Sequence, residues 1–342
     1  MTNNLLKKHF PFDLPDLSLD AREIDTRLHN RLTLAEFGAA IFALVMIVGF
    51  TWYTKTSSTF PADFLVYYHS PEDPLFHYGY WIAPLLQLFQ KLPFETAYFF
   101  WALLNLTGVI FACKVFGGSI VLAITSYQML SLLYYGNFSG ILVGGAALFW
   151  YGMAHQKWWL AGLGFLLAST KYHFAIFIGL PLLWWAKPDF RSILKMAIIP
   201  ILIVLASLII YPGWLATIWQ RVSHFGFFPL GITLWKYIGA WCLLLWIPVL
   251  ILPFSRNRRL FAMLVTAFLA SPYWLQTELL LLFSMPVGLM PLFGAVGFLF
   301  PWLDVKILLI ITLLLCGLYL IIILPALIEQ IKPYLIKHRK SN

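Results

Sequence analysis

Five carboxylates, Asp63, Glu72, Asp73, Glu95 and Glu278, stand out in a chain of 342 residues that is 61% hydrophobic and only 11% charged. A carboxylate partly withdrawn from water is a stronger base, and beside a hydroxyl it can take the proton as that oxygen attacks. Asp63, in the aromatic run FPADFLVYY, is the leading candidate for such a base. It is equally well suited to capping a helix, with its carboxylate on free backbone N–H groups. Glu72 and Asp73, in SPEDP, read first as turn or capping residues and second as an acidic pair able to hold a metal or position an acceptor.

Cations complete the set. Lys171 interrupts an apolar stretch in the insert Lys171-Tyr172-His173. A mid-helix lysine costs about 2.5 to 3.5 kcal/mol on insertion scales, so it either serves a purpose or snorkels to the headgroups. An ammonium there suits a phosphate whose charge grows as a bond breaks, and His173 offers a second donor. Arg221 and His224, in a later loop, suit lipid headgroups first and a phosphate second. Tyr67, Tyr68, Tyr78, Tyr80, His69 and His77 crowd the first loop, where such rings form an interfacial belt by default and can also stack on sugars.

Several chemistries lose support. The chain has no P-loop, GxGxxG, HExxH or closely spaced His/Cys set, so no cofactor and no metal is expected. Cys113, Cys242 and Cys316 lie inside apolar runs without CxxC spacing and read as packing residues. The net charge of +9 comes from short basic clusters between hydrophobic runs, which orient a membrane protein and do not make the continuous stripe that nucleic acid needs.

The elements that must position these residues are membrane helices. Uncharged windows such as Gly117 to Tyr135 and Leu260 to Thr277 reach the roughly 18 to 20 residues that cross the hydrocarbon. The reading is one all-α integral membrane domain over residues 33–326, with about ten to twelve elements able to span or half-span the bilayer. It follows a tail, residues 1–32, that carries Lys7, Lys8, Arg22, Arg27 and Arg31, lacks a cleavable leader pattern and falls in the cytoplasm by the positive-inside rule. The first span is Leu34 to Tyr53, and residues 55–95 form a structured first extracytoplasmic loop. Spans near Thr96 to Cys113, Ser139 to Met153, Met196 to Tyr211 and Tyr237 to Phe254 follow, and YGNFSG supplies a tight reversal. Lys187, Arg191 and Lys195 mark one inner turn and Arg256, Arg258 and Arg259 another. Pro286 and Pro291 can break Leu279 to Phe300, which would return the basic tail, residues 327–342, to the cytoplasm. No internal repeat is visible.

In this context DFLVYY, HYGYWIAPLLQLFQKLPFETAYFFWALLNL, YGNFSGILVGGAALFWYG, WWLAGLGFLLASTKYHFAIFIGLPLLWWAKP and SPYWLQTELLLLFSMP together resemble glycosyltransferase family 87, of the GT-C superfamily. The resemblance runs from about residue 33 to 300 and rests on the order and context of these segments. It implies a GT-C-type polytopic helical bundle in the plasma (inner) membrane. Its substrate would be a polyprenyl-phosphate sugar, commonly a mannose donor, from which a hexose passes with inversion to an extracytoplasmic glycan, lipid or protein acceptor. By the same resemblance Asp63 stands at the position of the base and Lys171 matches the family's lysine between two short helices, while His173 and Arg221 join it as candidate phosphate ligands on the chemistry of their own side chains. Tyr67, Tyr68, Glu72, Asp73, His77, Tyr80, Asn137, Gln276 and Glu278 are the candidate substrate-binding residues. Gly136-Asn137 departs from the family's more usual Gly-Gln, and SPYWLQTE keeps the Ser-Pro and aromatic features but lacks a clear acidic or histidine signature. The rival readings are a lipid or polysaccharide transporter or flippase, in which the same groups line a path, and a noncatalytic scaffold subunit.

Overall fold

The computed structural model describes residues 17, 19–57, 60–76, 78–224, 231–286, 290–299 and 305–339. Among them every regular element is helical and no strand forms. The chain opens with α1 (Ala21–His29), which Asp20 caps, and α2 (Leu34–Tyr53), which Thr33 and Glu36 start as a reciprocal capping box. α1 is no free tail. Its Ile24 is fully buried, and Arg27 Nη2 donates to Val115 O at 2.8 Å.

The first loop holds α3 (Ala62–Tyr68) and α4 (Ala83–Gln90), and α5 (Phe94–Phe116) leads away from it. The expected single span Gly117 to Tyr135 is instead α6 (Ile120–Ile124) and α7 (Tyr127–Tyr135). Ser119 and Ser126 each accept a hydrogen bond from the backbone N–H three residues on, so each starts a new helix. Gly136, at φ +69°, ends α7, and α8 (Ser139–Ala154) leaves at a bend of 115°. YGNFSG is therefore the tight reversal its composition predicts.

Next come α9 (Trp158–Ala168), α10 (Tyr172–Ala186), α11 (Phe190–Ile210) and α12 (Trp214–His224). α11 starts before the expected Met196, because Asp189 caps it through Ser192 N, so Arg191 and Lys195 lie in the helix and only Lys187 lies in the turn. α13 (Trp235–Ile251) ends before Leu252-Pro253. α14 (Arg256–Ala270) stops at Ser271, short of the expected Thr277, because a residue before proline is driven out of the helical region and Pro272 follows. A 3₁₀ turn (Gln276–Leu279) then leads into α15 (Leu280–Phe283), and α16 (Met290–Leu299) and α17 (Val305–Arg339) close the chain. Leu279 to Phe300 thus does not form one helix, and the basic C-terminal segment through Arg339 continues α17.

Four helices, α2, α5, α11 and residues Ile307–Ile328 of α17, are long and apolar enough to cross a membrane, and the bent pair α7–α8 makes a fifth if taken as one span. α9, α10 and α13 are shorter apolar helices. The expected ten to twelve elements thus resolve into few full-length helices and many short ones, because serine caps, glycines and prolines cut the apolar runs. α2 and α11 expose most of their apolar length, including Phe37, Val45, Trp52, Ile198, Leu202 and Ile209, as suits a lipid-facing surface.

Packing at the centre relies on small residues, as expected where lipid tails compete with side chains for apolar contact. A Cβ on Gly140 of α8 would lie 2.4 Å from Asn105 O of α5, and one on Gly164 of α9 would lie 2.2 Å from Phe149 N of α8. Three backbones, α5, α8 and α9, are thereby held in direct contact. α8 then starts, and α9 ends, beside the first loop.

Candidate functional site

The first loop is fastened at several points. Tyr68 donates to Leu92 O at 2.9 Å, Gln90 Nε2 to Ser70 O at 2.7 Å, and Gly79 N to Thr170 O at 3.3 Å, one residue before Lys171. Phe64, Tyr67 and Phe76 are buried, with Tyr67 packed on Phe138 at 4.3 Å between ring centroids and on Trp101 at 5.4 Å. Trp101 Nε1 donates to Gly136 O at 2.8 Å, which fixes the bend that follows α7.

At that bend, four of the residues singled out by sequence meet in one hydrogen-bonded chain. Asn137 Nδ2 donates to Asp63 Oδ2 at 2.6 Å, and Lys171 Nζ donates to Asn137 Oδ1 at 3.3 Å and to Glu278 Oε1 at 2.8 Å. The orientation of the Asn137 amide is dictated by its surroundings. Ser139 N (3.1 Å) and Ser139 Oγ (2.7 Å) also donate to Oδ1, so three donors face that oxygen and the NH₂ must face Asp63. Because Ser139 spends its proton on Asn137, its oxygen accepts from Thr277 Oγ1 at 2.8 Å. Glu278 is held from behind as well, since Oε2 accepts from Leu275 N at 2.8 Å.

The Lys171 and Glu278 side chains are 1% and 0% exposed, so this is a fully buried ion pair. Lys171 Nζ also lies 5.9 Å from the centre of the Tyr78 ring, on the face where the ring's electron density attracts a cation. His173 Nε2 stops 3.6 Å from the same Glu278 oxygen and has no hydrogen-bond partner among the described residues. Burial is the largest single influence and raises the Glu278 carboxyl, but the Lys171 charge and hydrogen bond together with the neighbouring His173 outweigh it, so Glu278 is held below the ordinary glutamate range. For Asp63 the balance is reversed. Burial pushes its carboxyl above the usual range, with the Glu278 charge adding to the rise, while the Asn137 hydrogen bond and the Lys171 charge offset only part of it.

Asp63 is not a helix cap. Pro61 occupies the cap position of α3, and the recorded hydrogen bond of the Asp63 side chain goes to Asn137. Its second oxygen makes no hydrogen bond among the described residues and is available to a ligand.

The other sequence candidates lie apart. Glu72 is exposed, and Asp73 accepts from Leu75 N at 2.8 Å as a turn residue. Glu95 sits in the first turn of α5. Tyr67 is buried against Tyr78, hydroxyl to hydroxyl at 3.2 Å, and Tyr80 stacks on Trp214 at 5.7 Å, so both build the loop's core and form neither a belt nor an open stacking face. Tyr68 braces the loop through Leu92, and His69 is exposed. Gln276 reaches Ser131 Oγ at 3.3 Å and leaves Oε1 buried without a partner. His77 and the side chains of Arg221 and His224 lie outside the described residues. Ser139 and Thr277 escaped the sequence reading. Ser139 had a local signal, since an Asn side chain accepting from the N–H two residues on is an Asx turn and N-F-S fits it. Thr277 had none beyond its place beside Glu278.

No group of three or more His, Cys, Asp or Glu able to hold a metal forms among the described residues. The chain matches no protein-family model, no curated protein and no solved structure.

Proposed function

We propose that this chain is a multi-pass membrane glycosyltransferase of the GT-C type, moving a hexose such as mannose from a polyprenyl-phosphate donor to an extracytoplasmic acceptor with inversion. The observation that carries the reading is the Asp63–Asn137–Lys171 chain. It sets a carboxylate with one open oxygen and raised basicity on one side of an amide, and a cation on the other. The segments DFLVYY, YGNFSG, STKYHF and SPYWLQTE, which resemble glycosyltransferase family 87, each contribute a residue to that chain or to its partners.

In this reading Asp63 takes the proton from the acceptor hydroxyl as its oxygen attacks the anomeric carbon. The bond from that carbon to the phosphate oxygen breaks on the opposite face, and the leaving phosphate gathers charge that Lys171 would offset. Asn137 holds Asp63 with its second oxygen free. The basic residues near the C-terminal ends of α5 and α8, far along those helices from Asn137, support a cytoplasmic N-terminus and an extracytoplasmic site by the positive-inside rule.

The direct test incubates the purified protein in lipid nanodiscs with polyprenyl-phosphate mannose and, separately, with a nucleotide mannose, and reads sugar transfer by mass spectrometry. Transfer from the lipid donor alone is expected. Movement of the intact lipid between leaflets of proteoliposomes, with no transfer, would replace the enzyme by a flippase.

A further inference from the structure

If the site takes a polyprenyl phosphate, as proposed above, its charge presents a problem. Two carboxylates, Asp63 and Glu278, face one ammonium, Lys171, so with His173 neutral the site is already negative. An incoming phosphate adds another negative charge where low polarity strengthens repulsion. Lys171 is also fully engaged, lying 2.8 Å from Glu278 and 3.3 Å from Asn137 and almost entirely out of solvent.

We propose that Glu278 is a built-in stand-in for the donor phosphate, holding Lys171 while the site is empty and releasing it when His173 takes up a proton and pairs with Glu278 instead. Three observations support the exchange. His173 Nε2 is already 3.6 Å from the very oxygen that Lys171 holds, and among the described residues it has no hydrogen-bond partner to give up. Glu278 is pinned through its other oxygen to Leu275 N, so the carboxylate stays and the lysine is the partner able to swing. The imidazole meets Tyr273 (5.4 Å) and Trp274 (4.9 Å) edge to face, which leaves it a short approach to Glu278.

The ionisable groups around the exchange are Lys171 and Tyr172 beside His173 in the chain, Tyr273 and Glu278 from the segment after α14, and Asp63 and Tyr78 from the first loop. Of these, imidazole alone ordinarily changes charge near neutrality. One proton is therefore taken from solvent for each phosphate bound. Glu278 and His173 act through Lys171 and are positioning residues.

The test measures binding of farnesyl methyl phosphate, a diester with one fixed negative charge, to the full-length protein in nanodiscs, with farnesol as the uncharged control. Between about pH 8 and about pH 6, the range in which imidazole ordinarily charges, the wild type should gain roughly tenfold in affinity for the diester and none for farnesol. E278Q should bind the diester about as tightly at the upper pH as the wild type does at the lower, with little dependence on pH. H173Q should stay weak at both. E278Q binding no tighter than wild type at the upper pH, or a full gain surviving in H173Q, overturns the proposal while leaving a phosphate site in place. Should E278Q not fold, H173Q decides alone. If neither wild type nor E278Q binds the diester at any pH, the phosphate reading falls with it.

Discussion

The two ends of the helical bundle treat their cations in opposite ways. At one end, arginines and lysines meet backbone carbonyls. Arg27 reaches Val115 O, Lys114 reaches Leu28 O, Arg258 reaches Ile322 O and Arg259 reaches Leu252 O, with Arg256 over the Trp185 ring at 4.4 Å. Most of these carbonyls lie at or near helix C-termini, where the backbone dipole favours positive charge, and the cations remain partly or fully exposed. At the other end Lys171 meets a carboxylate, and both are removed from solvent. The first arrangement closes helix ends. The second keeps charge at high cost in a place where folding alone does not require it, which supports the proposal that the site is functional.

The largest stability effect should separate these ends. Lys171→Met strands the Glu278 carboxylate and is expected to cost about 3–5 kcal/mol, while the double variant with Glu278→Gln should recover much of that loss. At the basic end Asp25 pairs with His155 at 2.9 Å but is 43% exposed, so Asp25→Ala should cost at most about 1 kcal/mol. Thermal unfolding in detergent reads all three, and equal losses at the two ends would dissolve the contrast.

Two of the four positive-φ glycines among the described residues, Gly117 and Gly136, sharpen it. A Cβ on Gly136 would press to 2.6 Å from Phe64 Cβ, next to Asp63, whereas one on Gly117 would meet only the end of the long Arg27 side chain at 3.1 Å. Both alanine variants carry the backbone strain of about 1–2 kcal/mol. Only Gly136→Ala should add a clash that displaces α3, so it should lower sugar transfer as well as the melting temperature, and Gly117→Ala should leave transfer near normal.

The smallest effect concerns pH. Because Asp63 is raised and works when ionised, transfer should climb as pH rises through a value above the ordinary Asp range of about 3.9 and then level off. Asn137 is among the groups that lower Asp63, so Asn137→Ala should move this limb to higher pH. A limb that stays in place or moves down would detach Asn137 from the base.

Much of this was legible in sequence, for definite reasons. Asp63, Lys171 and Glu278 are conspicuous because a charge next to apolar helices needs an explanation, and Asn137 is conspicuous because Gly-Asn marks a reversal. Hydropathy gave the first span to the residue, Leu34 to Tyr53, since nothing in it caps or breaks a helix. It merged α6 with α7 because a serine cap barely alters an apolar average. The hydroxyl pair Ser139–Thr277 joins residues 138 apart in the chain, and no local pattern carries that contact. The direct backbone contacts around Gly140 and Gly164 depend on which helices are neighbours, which one chain's periodicity does not specify.

The central claim is that Asp63 is the base, and the most direct measurement is the turnover of Asp63→Asn with polyprenyl-phosphate mannose under saturating donor. The variant keeps the shape of the side chain and should retain the wild-type melting profile. Its transfer rate is predicted to fall by a factor of about 10² to 10⁴, the contribution ordinarily made by a positioned base. Turnover within a few-fold of wild type would contradict the account.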